Sequence, residues 1–68
     1  MRTHLTEGMA LAVRITKEGK EPGQGIARLE DGTMVVVENG KEKIGEDAEV
    51  TVTAVRQTPG GRMVFARL

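Results

Sequence analysis

The sequence predicts an all-β fold, a small closed barrel of five short strands, and three observations carry that reading. Apolar residues recur at every second position in several short runs, which is the period of a half-buried strand. Gly, Pro, Asn and Asp punctuate the chain between those runs as turn signals. No stretch has the 3.6-residue apolar period of a helix of any length. At 68 residues without a cysteine, the chain is one domain at most and has no disulfide to staple it. Closure into a barrel answers both constraints, because it removes the open edges that make short sheets aggregate.

Residues 1–8 lack periodicity and read as a flexible lead-in or linker remnant, leaving residues 9–68 as the barrel domain. Residues 9–16 (MALAVRIT) put Leu11, Val13 and Ile15 on one face and Ala10, Ala12, Arg14 and Thr16 on the other. Residues 17–24 (KEGKEPGQ) form a polar loop, since Gly19, Pro22 and Gly23 exclude regular structure. Residues 23–38 (GQGIARLEDGTMVVVE) organise the rest: strands at 26–29 and 33–38 close through Asp31-Gly32, a turn that needs positive φ. The glycines of Gly23-Gln24-Gly25 let the chain enter this hairpin sharply, its backbone close to a neighbour. Three successive valines, Val35, Val36 and Val37, imply a strand covered on both sides.

Asn39-Gly40 is a second turn signal, and residues 41–47 form a charged connection whose Ile44 is expected to tuck into one open end of the barrel. Residues 48–56 (AEVTVTAVR) direct Val50 and Val52 inward. Val55 then breaks parity, so a bulge or bend is expected near Thr53 and Ala54. Residues 58–61 turn the chain into the last strand, 62–67 (RMVFAR), where Phe65 between Val64 and Ala66 is read as a core residue. Five strands of this length match a small OB-like β-barrel, with an SH3-like barrel as the alternative.

Charged residues make up 29% of the chain and hydrophobic ones 38%, a globular balance. No apolar run approaches the roughly 20 residues of a membrane helix, and no signal-peptide core opens the chain. With no cysteine either, a cytoplasmic domain is the expectation. Net charge is zero, yet unevenly spread. Residues 1–29 hold five cations and three acids (+2), residues 30–49 two and seven (−5), residues 50–68 three and none (+3). Catalysis is not expected. The lone His4 cannot make a metal site unaided, Glu30 and Asp31 sit at a hairpin turn without a pocket, and Gly23-Gln24-Gly25 is too short for a phosphate-binding loop. No cofactor or metal is implied.

Four segments together carry a family resemblance: EGKEPGQGIARLEDGTMVVVE at 18–38, Ile44-Gly45, VTVTAVRQT at 50–58 and GRMVFA at 61–66. In that order and spacing the chain resembles a TRAM domain, more narrowly the C-terminal TRAM module of bacterial PIN–TRAM proteins. TRAM domains are small OB-like barrels regarded as RNA-binding modules, attached to RNA-modifying or nuclease-like domains or standing alone. The resemblance therefore implies RNA as partner (transfer, ribosomal or other, single-stranded or structured) and a PIN nuclease-like domain in a longer parent chain. Two departures stand out. Ala27-Arg28 occupies the place where the family often has Gly-Tyr, exchanging an aromatic for a cation, and the PIN carboxylates are not in this sequence.

In an OB-like barrel the first-to-second and fourth-to-fifth strand loops flank the oligonucleotide face. Those loops hold Lys17, Lys20, Gln24 and Gln57, with Arg28, Arg56 and Arg62 on or beside the adjoining strands. Strands one and four would be neighbours, so the two basic segments are expected to converge while the acidic one lies apart. With Phe65 as the only aromatic, binding should be weak, salt-sensitive and sequence-independent, about micromolar or weaker. The alternative is a protein-interaction or oligomerisation barrel, with the acidic segment or a strand edge as its contact.

Overall fold

The computed structural model describes residues 6–29 and 32–68. Strands β1 (Ala10–Glu18), β2 (Gly25–Arg28), β3 (Met34–Glu38), β4 (Asp47–Thr58) and β5 (Gly61–Arg67) close into a barrel in the order β1-β2-β3-β5-β4. All neighbours are antiparallel except β3 and β5, which run parallel from Met34 opposite Met63 to Glu38 opposite Arg67. This is the order of an OB-like Greek-key barrel, and the SH3-like alternative gives way to it. A 3₁₀ turn at Gly40–Lys43 is the one helical element among the described residues.

The period-two alternation sets the core. Val13 and Ile15 of β1, Ala27 of β2, Val35 and Val37 of β3, Val50 and Val52 of β4, and Val64 and Ala66 of β5 meet inside. Leu11, on the same face, packs against the edge of this cluster. Barrel diameter grows with strand number, so five strands leave an interior suited to small β-branched side chains. Val36 points the other way and is still only 8% exposed. The valine run is covered on both sides, as its composition implied.

Two bulges adjust the register, and each places a threonine as the extra residue. Between β1 and β2 the pairing steps from Ile15 opposite Ala27 to Lys17 opposite Ile26, and the Thr16 hydroxyl donates to the Ile26 carbonyl at 3.2 Å. Between β4 and β5 it steps from Val52 opposite Ala66 to Ala54 opposite Phe65, and the Thr53 hydroxyl donates to the Phe65 carbonyl at 3.1 Å. The second bulge stands where the broken parity placed it. Beyond it Val55 comes opposite Val64.

Leu29 and Thr33 close the β2–β3 hairpin: the Leu29 N–H donates to the Thr33 carbonyl at 2.8 Å, and the Gly32 N–H to the Leu29 carbonyl at 2.9 Å. Gly32 has the expected positive φ, 90°. Glu30 and Asp31 lie outside the described residues, as do residues 1–5 with His4. The Gly8 N–H donates to the Val52 carbonyl at 2.7 Å and the Val52 N–H to the Met9 carbonyl at 2.9 Å, extending the β1–β4 ladder beyond Ala10.

One end of the barrel is closed by a backbone contact. A Cβ built on Gly25 would stand 2.6 Å from Ile15 Cγ2 and 2.9 Å from the Gly40 carbonyl carbon. Gly25 and Gly40 are glycines because two backbones and the Ile15 side chain share that space. Asn39 leads into it in a left-handed conformation, φ 62°. Ile44, expected to tuck into one open end of the barrel, does not; it caps the 3₁₀ turn at 39% exposure.

Gly25→Ala is therefore expected to cost about 1–3 kcal/mol by overpacking. Gly60→Ala, where an added Cβ meets nothing within 4 Å, should stay within about 0.5 kcal/mol of the parent. Urea unfolding of the two variants checks the contrast.

Candidate functional site

The outward side chains of β2, β3 and β5 form two cross-strand rows. Ile26, Val36 and Phe65 are in register across the three strands, with Lys17 of β1 at one end and Ala54 of β4 at the other. The second row is Arg28, Met34, Met63 and Arg56, so a pair of methionines lies between two arginines. At one strand spacing per step, Arg28 and Arg56 are separated by at most about 14 Å between Cα atoms. The floor is apolar and its ends are cationic.

Phe65 belongs to this floor and not to the core, correcting the sequence expectation. It is half-buried, and Val64 and Ala66 on either side are the inward residues. The Arg56 guanidinium carbon lies 5.9 Å from the centroid of the Phe65 ring, within cation–π range. Alternation alone held this signal, because a residue between two inward positions on a strand faces out. The apolar character of all three residues hid it.

The loop expected at 17–24 starts only after Glu18, because Lys17 and Glu18 pair with β2; these two residues and the loop at 19–24 form a wall beside the floor, enclosing an open groove of about 460 Å³. Lys17, Lys20 and Gln24 line it with Glu18 and Glu21. Gln24 holds the loop in shape: its carbonyl accepts from the Gly19 N–H at 2.8 Å and its Oε1 from the Glu21 N–H at 3.2 Å. The Lys41 N–H donates to the Gly23 carbonyl at 3.1 Å, and Lys41 Nζ lies 3.5 Å from Glu18 Oε2. These bonds tie the wall to the 3₁₀ turn.

The seven sequence candidates thus divide. Lys17, Lys20 and Gln24 line the groove, and Arg28 and Arg56 end its methionine row. Gln57 and Arg62 are opposite each other, one register step away from Arg56 and Met63 and so on the alternate side of the hairpin. There Arg62 Nη2 donates to the buried Thr33 Oγ1 at 3.4 Å.

The acidic segment does not lie apart, as the charge map had suggested. β4 pairs with β1 through its first half, from Asp47 to Thr51, and with β5 through Thr51 to Thr58. Its acidic half therefore adjoins β1, where Arg14 Nε is 3.1 Å and Nη2 3.4 Å from the two Asp47 oxygens. The Asp47 hydrogen bond, and then its charge, push the Arg14 pKa up. The basic half of β4 adjoins the groove. Among the described residues no three His, Asp or Glu side chains converge as a metal site would require, and no helix is long and apolar enough to cross a membrane. An apolar floor with cationic ends can hold a flat ring and an attached anion.

The TRAM domain family matches residues 4–65. A PIN and TRAM-domain containing protein of Synechocystis sp. is 52% identical over 60 residues, covering 88% of this chain and 17% of the relative. The Bacillus subtilis PIN and TRAM-domain containing protein YacL shows the same identity over 88% of this chain and 16% of its own length. A PIN and TRAM-domain containing protein of Thermus thermophilus is 51% identical over 67 residues, 98% of this chain and 20% of the relative. The chain thus spans a fifth or less of these relatives. No solved structure matches.

From the geometry, Phe65→Leu is expected to lower unfolding free energy by less than about 1.5 kcal/mol, since it trims the floor and leaves the core intact. Val64→Ala, one residue away but fully enclosed, should cost about 1–3 kcal/mol. Equal losses by urea unfolding would return Phe65 to the core.

Proposed function

This chain belongs to the TRAM domain family, and from that premise we propose that it is an RNA-binding accessory module without catalysis of its own. The family is generally nucleic-acid-binding. The observation that carries the reading for this chain is the apolar groove with Lys17, Lys20, Arg28 and Arg56 around it. Lysine and arginine neutralise phosphates and release their counterions, while arginine also grips phosphate bidentately. Gln24 shapes the loop that carries Lys20, next to Lys17 near the end of β1, while Gln57 and Arg62 lie on the other side of the β4–β5 hairpin. With so few cations and a net charge of zero, binding is weak and salt-sensitive.

The relatives named for PIN and TRAM domains support a longer parent chain in which this module positions RNA for a PIN partner. The cytoplasm is the compartment consistent with such a role. A protein-contact barrel would need the same groove or the acidic strand half to meet another chain.

A titration of the isotope-labelled domain with a short single-stranded RNA separates the two readings. Chemical shifts should move at residues 17–28 and around Arg56. Three phosphate contacts would make affinity fall about 20-fold between about 50 and 200 mM salt. Lys20→Glu and Arg28→Glu should each weaken binding several-fold while leaving the amide spectrum folded. Salt-independent binding, or shifts confined to Asp47 and Glu49, would sink the RNA reading.

A further inference from the structure

β4 runs on past the strand that covers its first half. β1 pairs with it from Asp47 to Thr51, and the backbones of Gly8 and Met9 carry the ladder to Val52. There the preceding chain turns off: Gly8 takes a positive φ of 85°, and the Met9 N–H donates to the Thr6 carbonyl at 3.1 Å. From Ala54 to Thr58, β4 has β5 on one side and, among the described residues, no strand on the other. We propose that this edge docks an extended segment of a protein partner, adding a strand to the sheet with an acidic residue set against Arg56. The edge would serve that partner whether or not the groove holds RNA.

The register fixes which backbone groups face outward. Thr58 and Gly61 flank a tight turn at Pro59-Gly60 and so form a hydrogen-bonded pair, and such pairs alternate along an antiparallel ladder. Arg56 and Met63 are the next bonded pair. Val55 and Gln57 therefore turn their N–H and C=O groups away from β5, in the direction that Val52 uses toward Gly8 and Met9. The Thr53 bulge carries that direction across from Val52 to Val55. Val55, Arg56 and Gln57 are all exposed. Natural edges are commonly blunted by lysine, proline or an inward-pointing charge, and residues 53–58 have none of these.

Bonding and charge select the occupant. A row of alternating donors and acceptors matches another peptide backbone, the basis of strand addition to an open sheet edge. A second copy of this chain fits poorly. The two-fold antiparallel pairing that bonds both Val55 and Gln57 sets Arg56 directly against its own copy, like charge against like. Residues 50–68 hold three cations and no acid, so nothing in that stretch offsets the repulsion. An acidic side chain at the same place makes an opposite-charge pair instead, in the non-bonded position where side chains across a ladder are closest. Val55, 37% exposed, offers an apolar contact to the neighbouring residue of the added strand.

The test titrates the isotope-labelled domain with a capped, palindromic peptide, Thr-Val-Glu-Val-Thr, which sets glutamate against Arg56 in either strand direction. Two controls change one property each: N-methylation of both valines removes their donors, and a central lysine reverses the charge. The glutamate peptide should move the Val55 and Gln57 amide protons downfield and slow their exchange. The N-methylated peptide should leave both in place, and the lysine peptide should bind at least about two-fold more weakly. Arg56→Glu should reverse that order. Should this variant lose the folded amide spectrum, Arg56→Gln replaces it and should make the two peptides bind alike. No response of these amides to millimolar glutamate peptide overturns the edge site, as does equal binding of the N-methylated peptide. An unchanged preference in the Arg56 variant overturns the acidic chemistry of the partner. Protection of Val55 and Gln57 that rises with protein concentration alone, together with a dimer in sedimentation, gives the edge to a second copy and overturns the peptide partner.

Discussion

The width of a five-stranded barrel governs the arrangement of almost everything else in this molecule. Closure through the parallel β3–β5 contact leaves an interior that Val, Ala and one Ile fill. Met9, Leu11, Leu29 and Ala48 pack against the margin of that interior, while Phe65 and the methionines of β3 and β5 are not part of it. Met34, Met63 and Phe65 stand on the outer face, and β2, β3 and β5 bring them into two adjacent rows. The groove is thus a consequence of the core. A wider barrel could have swallowed Phe65, and the outer face would then have had no apolar floor.

The two threonine bulges determine which residues share a row. A period-two strand that closes a small barrel must bend sharply, and a bulge concentrates that bend at one residue. At Thr16 it lets β1 continue along β2, bringing Lys17 opposite Ile26. At Thr53 it puts Val55 opposite Val64, where it is still 37% exposed, and sends Arg56 outward opposite Met63. Without the second bulge Arg56 would face the other way and the methionine row would have a cation at one end only. In each case the hydroxyl donates to the carbonyl of the strand opposite, so the same side chain that occupies the bulge also fastens it.

Much of this was legible in the alternation of apolar residues, because side-chain direction along a strand is a local property. The inward residues of β1 and β4, the doubly covered valine run, the Gly32 turn and the Thr53 bulge all follow from neighbours in sequence. Phe65 was equally legible by parity, but hydrophobicity is a poor guide to direction when every residue in a run is apolar. The expectation that the acidic segment lies largely apart failed for a different reason. β4 changes partner halfway along, so its acidic half joins β1 and its basic half joins β5, and that division depends on a register between distant segments. Ile44 misled because an apolar residue between charges suggests burial, whereas it ends the 3₁₀ turn and stays 39% exposed.

The groove is stiff on one side for a reason that bears on the proposed role. Its wall is fastened by Gln24 from within and by Lys41 from the 3₁₀ turn, and that turn is packed against Gly25 at the start of β2. Hydrogen bonds and packing thus join loop, turn and strand, which lowers the ordering cost when a ligand enters. Preorganisation of this kind suits a surface with few cations, which cannot offset a large ordering cost by electrostatic attraction. A weak but ready site is also the kind that gains most from tethering. On the proposed reading, joining it to a second RNA-contacting unit would make its binding intramolecular, and an effective concentration in the millimolar range would turn a micromolar contact into a nearly saturated one. Neutral net charge then becomes an advantage, because a strongly basic module would capture nucleic acid wherever it met it and blunt the selectivity of whatever it serves.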